Sequence, residues 1–393
     1  MLRIRLASAL LAGLAAATIP ETIASPDLLL DSGRFLSKHP GMTVGLSLLH
    51  DPRDASFAAD GRRQHGVAPA YGAGSEFPLT RLTADFDWHF PMFETEALPF
   101  VSSRLWNARA VLGYAETSTK GPIGDAAIAA GGPSSKSGIH DLDLAFGPVL
   151  FGSRDWRSRS STPLSLILLG ELRVPIGAQD PDAPNNAGDS VFAWGARLGG
   201  HWQAQTAWLR GTRLDAGLRL RWYEADQEPA FNAQAPTQAG RDLEFDATLA
   251  RRLWRGVHGQ VSYYFRDGQA SEYRRIRATA QPPAAGPLQD SFPDPAPLRD
   301  GGSREQRLQF GLGAFLTPRL WLAFAYTHPL SGRSGSVTVP YQQQLSGCEA
   351  FDSCQPRANG SDVVDGLGRA RSYASDSVLL TLRWQPRQRS SSP

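Results

Sequence analysis

Residues 81–90 read RLTADFDWHF, and every second one is apolar: Leu82, Ala84, Phe86, Trp88 and Phe90. Between them stand Thr83, Asp85, Asp87 and His89. A period of two belongs to a β-strand, whose successive side chains point to opposite faces. The segment therefore has one dry face rich in aromatics and one wet face carrying charge. Soluble sheets and membrane barrels both alternate in this way. How the pattern recurs, and how its copies are joined, separates the two.

The pattern recurs along the chain. Trp106, Ala108, Ala110, Leu112 and Tyr114 alternate with Asn107 and Arg109. Leu142, Leu144 and Phe146 alternate with Asp141 and Asp143. Residues 212–224, TRLDAGLRLRWYE, set Leu214, Ala216, Leu218, Leu220 and Trp222 against Arg213, Asp215, Arg219 and Arg221. Residues 241–253 set Leu243, Phe245, Ala247 and Leu249 against Asp242, Glu244 and Asp246. Weaker copies cover 44–48, 164–176, 191–202, 257–266, 307–316, 320–328 and 378–384, which makes about twelve strands, and helical periodicity wins over no comparable window.

The joins decide the topology. Toward the C-terminus, tight joins such as WRG (254–256) and TPR (317–319) alternate with long polar ones, among them 224–240, 267–303 and 329–371. An up-and-down meander does this when one rim bears turns and the other bears loops, as in outer-membrane barrels. Longer joins near 50–77, 118–138 and 177–189 keep the parity. Both chain ends then lie on the short-turn, periplasmic side, with an even number of strands. The dry faces carry aromatics near strand ends (Trp88, Phe90, Trp106, Tyr114, Trp202, Trp222, Phe265, Tyr326, Trp384), where interfacial girdles sit. The expected fold is an all-β, up-and-down antiparallel transmembrane β-barrel of about twelve strands with long extracellular loops, in the outer membrane of a Gram-negative bacterium.

The N-terminus agrees with export. Arg3 and Arg5 precede an apolar run from Leu6 to Ile19, and Thr22-Ile23-Ala24 offers a cleavage site. Residues 1–24 read as a signal peptide and 25–384 as the barrel. Residues 25–41 are a candidate plug or N-terminal extension, and 385–393 a polar tail. Beyond Ala24 no apolar run approaches the roughly 18 residues of a membrane helix. Cys348 and Cys354 stand close together in a Gly- and Ser-rich stretch, and in an oxidising compartment they are expected to form a disulfide that staples a loop. Two cysteines without a nearby histidine do not suggest a metal site.

If the dry faces meet lipid, the wet faces line a lumen. The expected lining is Asp85, Asp87, His89, Arg109, Asp141, Asp143, Glu171, Arg173, Arg213, Arg219, Arg221, Asp242, Glu244, Asp246 and Arg383. Most of these charges are expected to pair across a narrow lumen; segregated acidic and basic rows would instead impose a transverse field on a passing solute. Val111, Val149, Ile167, Leu169, Trp321 and Leu379 share the inward parity and give the lining an apolar part.

Formal charge is +2, with 40 Lys and Arg against 38 Asp and Glu. The basic residues are dispersed, which argues against nucleic acid. The sequence contains no HExxH zinc motif, Walker loop or dinucleotide fingerprint, and no GxSxG in a strand-turn-helix setting. His89, His140, His201 and His258 fall on different strands with no serine at a persuasive neighbouring position. No enzyme, cofactor or metal is expected.

Residues 138–204 resemble the outer-membrane family of transporters linked to the MetA pathway of phenol degradation. The resemblance rests on Gly147-Pro148 in one strand, an apolar strand from Leu164 to Leu169, the exit Pro175-Ile176-Gly177, and the polar loop Asn185 to Asp189. It implies a barrel that passes small hydrophobic or aromatic compounds, and it transfers no catalytic residues. Such barrels often finish on an aromatic residue; here Trp384 is followed by QPRQRSSSP. Passive passage of small molecules is thus the expected function, with lipid, solute and the barrel assembly machinery as partners. A ligand-binding barrel acting through its loops, and a barrel-borne lipid hydrolase, are the alternatives.

Overall fold

The computed structural model describes residues 41–66, 74–92, 105–129, 135–150, 164–177, 192–204, 206–209, 211–224, 236–238, 240–254, 256–268, 272–273, 298–299, 302–317, 319–341, 360–365 and 372–385. The alternating segments become twelve barrel strands. These are β1 (Gly41–Asp51), β2 (Leu79–Pro91), β3 (Leu105–Ser118), β4 (Leu142–Leu150), β5 (Leu164–Val174) and β6 (Ala193–Gln203), followed by β7 (Thr212–Tyr223), β8 (Arg241–Trp254), β9 (Val257–Gly268), β10 (Ser303–Thr317), β11 (Leu320–Arg333) and β12 (Ser377–Trp384). Each pairs antiparallel with its neighbours in sequence, and β12 pairs with β1, from Val44 opposite Trp384 to His50 opposite Val378. That last ladder closes the sheet, so no strand edge is left to face hydrocarbon.

A further strand, Ser135–Ile139, pairs with the upper part of β3 in line with β4, which pairs with the lower part. The two pieces are one barrel strand broken at His140-Asp141. Farther down, the β4–β5 ladder skips Gly147 and Pro148. Proline has no N–H to donate, and a Cβ at position 147 would overlap the carbonyl oxygen of Leu168. The Gly-Pro pair thus marks a corner where the neighbouring strand crosses very close.

The tight turns all lie at one rim, although the joins 92–104 and 151–163 at that rim are longer: Gly211 (φ 83°) precedes β7, and Gly256 (φ 73°) sits between β8 and β9, both in the left-handed region that favours glycine. Long connections and small hairpins leave from the other rim, such as Ala55–Phe57 with Arg63–His65 and Ser336–Tyr341 with Gly360–Asp365. Both Gly41 and Trp384 lie at the short-turn rim. Among the described residues no helix is long and apolar enough to cross a membrane, which says nothing of crossing by strands.

The two faces are inverted relative to a soluble protein. On β2, Leu82, Phe86 and Trp88 are about half exposed (49%, 47% and 52%), whereas Asp85, Asp87 and His89 are buried. On β12, Leu380 is 45% exposed and its neighbour Leu379 only 5%. Outward leucines and phenylalanines continue around the barrel through Leu112, Leu168, Leu198, Leu218, Leu249, Phe310 and Phe324. Aromatics flank this belt. Trp88, Phe90, Trp106, Phe146, Trp202, Trp254 and Trp384 lie toward the short-turn rim, with Trp106 stacked on Phe146 at 5.1 Å. Trp194 and Trp222 stack at 4.6 Å toward the long-loop rim. Water has no reason to keep such a belt outside and charge within; a bilayer does. The expected signal peptide, the candidate plug up to residue 40, the cysteines and the polar tail beyond Gln385 lie outside the described residues, while Gly41 already belongs to β1.

If the belt contacts lipid, Leu380→Arg places a cation there and should destabilise the barrel by about 2–4 kcal/mol. Urea unfolding in lipid vesicles, followed by heat-modifiable gel migration, measures the loss; an unchanged midpoint would mean that the belt never contacts a membrane.

Candidate solute pathway through the barrel

The lumen is built from the polar half of each strand, and its charged side chains meet as a zipper. On β4 to β8 acid and base alternate between neighbours. Arg173 Nε donates to Asp143 at 2.9 Å. Arg219 reaches Glu171 on β5 and Glu244 on β8, both at 2.8 Å. Arg221 adds a longer contact with Glu171 at 3.6 Å. Arg197 Nη2 donates to Asp246 at 2.7 Å. Asp242 accepts from Tyr223 Oη at 2.8 Å and from Arg266 Nε at 3.0 Å. Arg219, Glu171, Glu244, Arg197 and Asp246 are all more than nine-tenths buried. Charges so far from water are tolerated because each has a partner of opposite sign.

Glycines make the zipper fit. Gly217 lies opposite Asp246 on β8, and a Cβ there would come within 2.6 Å of Arg197 Nη2 and 2.7 Å of Asp246 Oδ1. The bare backbone lets the guanidinium cross flat against the wall.

A second charged group lies lower, on β12 to β3. Asp87 accepts from Asn107 Nδ2 at 2.6 Å and lies 3.1 Å from His89 Nδ1. Asp85 stands 3.9 Å from both Arg109 and Arg383. Arg213 lies near the short-turn end of β7, 2.5 Å from Asp215, which also holds His201 Nδ1 at 2.6 Å. Asp141 sits apart: it precedes β4 at the long-loop rim and accepts from the Gly177 backbone N–H at 3.0 Å, pinning the connection after β5. The acidic and basic rows are on adjacent strands, so opposite charges neutralise each other side by side.

Neutral polar residues of the same parity complete the wall. Thr248 Oγ1 donates to Ser262 at 2.9 Å, Gln309 Nε2 donates to Thr327 at 3.0 Å, and Ser47 pairs with Thr381 at 3.1 Å. Sequence reasoning passed over them, together with Tyr223, because it searched for charge, and parity alone would have found them; Glu305 was passed over because it lies just before the segment read as a strand, 307–316. At the long-loop rim, Asp376 accepts from Tyr326 Oη at 2.7 Å and lies 2.7 Å from His328 Nδ1. Partial burial works against its charged form, but these two bonds hold its carboxyl below the ordinary range.

Apolar side chains also face inward. Leu49, Leu79, Ala115, Phe315, Trp321, Ala323, Ala325 and Leu379 form one buried cluster running from the long-loop end of β1–β3 to the short-turn end of β10–β11. Trp321 leans over Gly313, where a Cβ would strike its ring, and packs edge-on against Phe315 at 4.6 Å and His258 at 5.4 Å. Leu105, Ala145, Val149, Ile167 and Leu169 form a second cluster on β3–β5. Val111 is only half buried. Among the described residues no group of three His, Cys, Asp or Glu could hold a metal ion.

A closed antiparallel barrel with an apolar belt outside and paired charges within defines an outer-membrane β-barrel protein. Residues 93–286, which hold β3 to β9, match the family described as "Putative MetA-pathway of phenol degradation". No curated protein matches the sequence significantly. Among solved structures, an outer membrane channel from Pseudomonas putida F1 shares the fold at 13% identity, covering 88% of this chain and 96% of its own, with a TM-score of 0.50. The β domain of the Bordetella autotransporter BrkA aligns at 10% identity over 88% of this chain and 100% of its own, with a TM-score of 0.41. A Pseudomonas aeruginosa FadL homologue aligns at 11% identity over 88% and 90%, with a TM-score of 0.34.

Removing Arg219 strands two buried carboxylates at once. Arg219→Ala should cost about 3–5 kcal/mol, as for other broken buried pairs, read as a lowered urea midpoint in detergent. A loss within error of zero would show that water already solvates Glu171 and Glu244.

Proposed function

We propose that the barrel is an outer-membrane channel through which small, largely apolar molecules diffuse passively. The inward apolar row from Leu49 and Leu379 past Ala325 and Ala323 to Trp321 carries this reading. The membrane requires apolar residues only on the outside, and a water-filled porin keeps a polar interior. An apolar row spanning the lumen from rim to rim has neither duty, and it gives an apolar solute a surface on which to leave water. The charged zipper on the facing strands holds the wall rigid and neutral, so it offers little grip to ions. The match of residues 93–286 to a family named for phenol degradation, and the likeness to an outer membrane channel, support the reading.

Uptake of labelled toluene by cells with intact lipopolysaccharide tests it. Deleting the gene should slow initial uptake several-fold, and the wild-type barrel should restore it. Ala325→Glu, which puts a charge in the apolar row, should restore much less while folding by gel migration. Equal uptake with and without the gene would reject the channel.

One observation favours a hydrolase instead. In backbone register, position 165 on β5 stands opposite His201 on β6, which stands opposite Asp215 on β7, and the three residue types, Ser, His and Asp, are those of a hydrolase triad. The strand N–H groups beside them are committed to the ladder, which leaves no evident oxyanion site. If the refolded wild type releases nothing from a p-nitrophenyl ester, this reading falls.

A further inference from the structure

We infer that the short-turn half of the lumen holds a recognition site for small apolar monocarboxylates, with Arg109 taking the carboxylate and the β3–β5 apolar cluster taking the body. This inference rests on the channel reading above and narrows its solute.

Arg109 is buried to nine-tenths, with its side chain 9% exposed. A guanidinium carries five N–H donors and can shed none of its charge. Among the described residues, Nε and Nη1 of Arg109 have no hydrogen-bond acceptor. Its only ion-pair contact within 4 Å among the described residues is Asp85 at 3.9 Å, beyond hydrogen-bond range. The neighbouring acids are otherwise occupied. Asp87 is taken by Asn107 and His89, and Asp85 is equally far from Arg383. Every other lumen arginine named above has an acid within 3 Å, apart from Arg221 and Arg383. Arg109 alone among them combines burial with an open fork.

Asp87 faces Arg109 from β2, but on the β4 side the lining is apolar. There Arg109 pairs across the ladder with Ala145, and Leu105 lies four residues earlier on the same inward face of β3. Ala145 and Leu105 belong to the buried cluster with Val149, Ile167 and Leu169. Donors at one end and aliphatic side chains at the other match a solute with a planar acceptor pair and an apolar body. A carboxylate fills two fork positions at once, whereas an alcohol fills one and an ammonium none. Asp85 and Asp87 balance Arg109 and Arg383, so the anion is held by local geometry rather than by excess positive charge. Binding of that kind is weak enough to release, as passage requires.

Isothermal titration of the refolded full-length barrel with benzoate, benzyl alcohol and benzylamine tests the site without relying on transport. Benzoate should bind most tightly, benzylamine not at all, and Arg109→Gln should weaken benzoate at least tenfold while weakening benzyl alcohol much less. Leu169→Asn should weaken benzoate and leave acetate, which has only the head, unaffected. If Arg109→Gln does not refold, Arg109→Lys replaces it, with a several-fold loss expected because the second fork nitrogen is gone. Equal binding of benzoate and benzyl alcohol, no benzoate binding by the wild type, or no effect of either Arg109 variant would each overturn the inference and leave the fork to water. Toluene uptake separates the two levels. Uptake without benzoate binding removes this site and leaves the channel, whereas benzoate binding without uptake removes the channel.

Discussion

Hydrocarbon offers no hydrogen-bond partner to a peptide group, and this one constraint organises the molecule. Twelve strands satisfy it only when the last meets the first, as β12 does along β1. Closure fixes the count and direction of strands. It also fixes the face on which each side chain stands, because a slip of one residue would turn a whole strand inside out. Leu380 and Leu379 are chemically identical neighbours, yet one faces lipid and the other the lumen.

Once the faces are fixed, the interior must dispose of many charges far from water. It does so locally, strand against strand. Arg219 bridges acids on both sides, and Arg197 and Asp246 meet over Gly217. The lining is therefore not uniform. A charged wall on β4–β8, neutralised strand against strand, confronts a wall on β9–β3 where charged groups share the lining with neutral polar and apolar residues, and the asymmetry allows an apolar row in a barrel whose polar residues outnumber it. The proposed channel and the proposed carboxylate site both use the places where this pairing is incomplete or absent.

The fold was legible because its signal is redundant. Period-two alternation in segments such as 81–90, the alternating joins, and aromatics near strand ends all point the same way. Parity also placed Val149, Ile167, Leu169, Trp321 and Leu379 on the inner face, where the structure has them. Who pairs with whom was not legible. The reach of Arg219 over β6 to Glu171 depends on barrel curvature and on bare glycines, which no single strand reveals. Asp141 shows the limit of parity: the break before β4 takes it out of the row and gives it to the backbone of Gly177. The serine opposite His201 was missed for the same reason, since register across β5 and β6 is a property of the sheet and not of either segment.

Glycine at positions 45, 217 and 313 has a broader implication. Each lies beneath a large side chain from an adjacent strand, Asp85, Arg197 or Trp321, which would collide with any Cβ there. The bore is thus measured by couples, a bulky residue and the empty place it rests in, and every couple is on the inner face. Exchanging the members of one couple would widen or block the passage at that height without altering a single atom that lipid touches. Two properties that usually compete, residence in the membrane and choice of cargo, are in this architecture spelled on alternate letters of the same strand, and evolution can revise one while leaving the other as it stands.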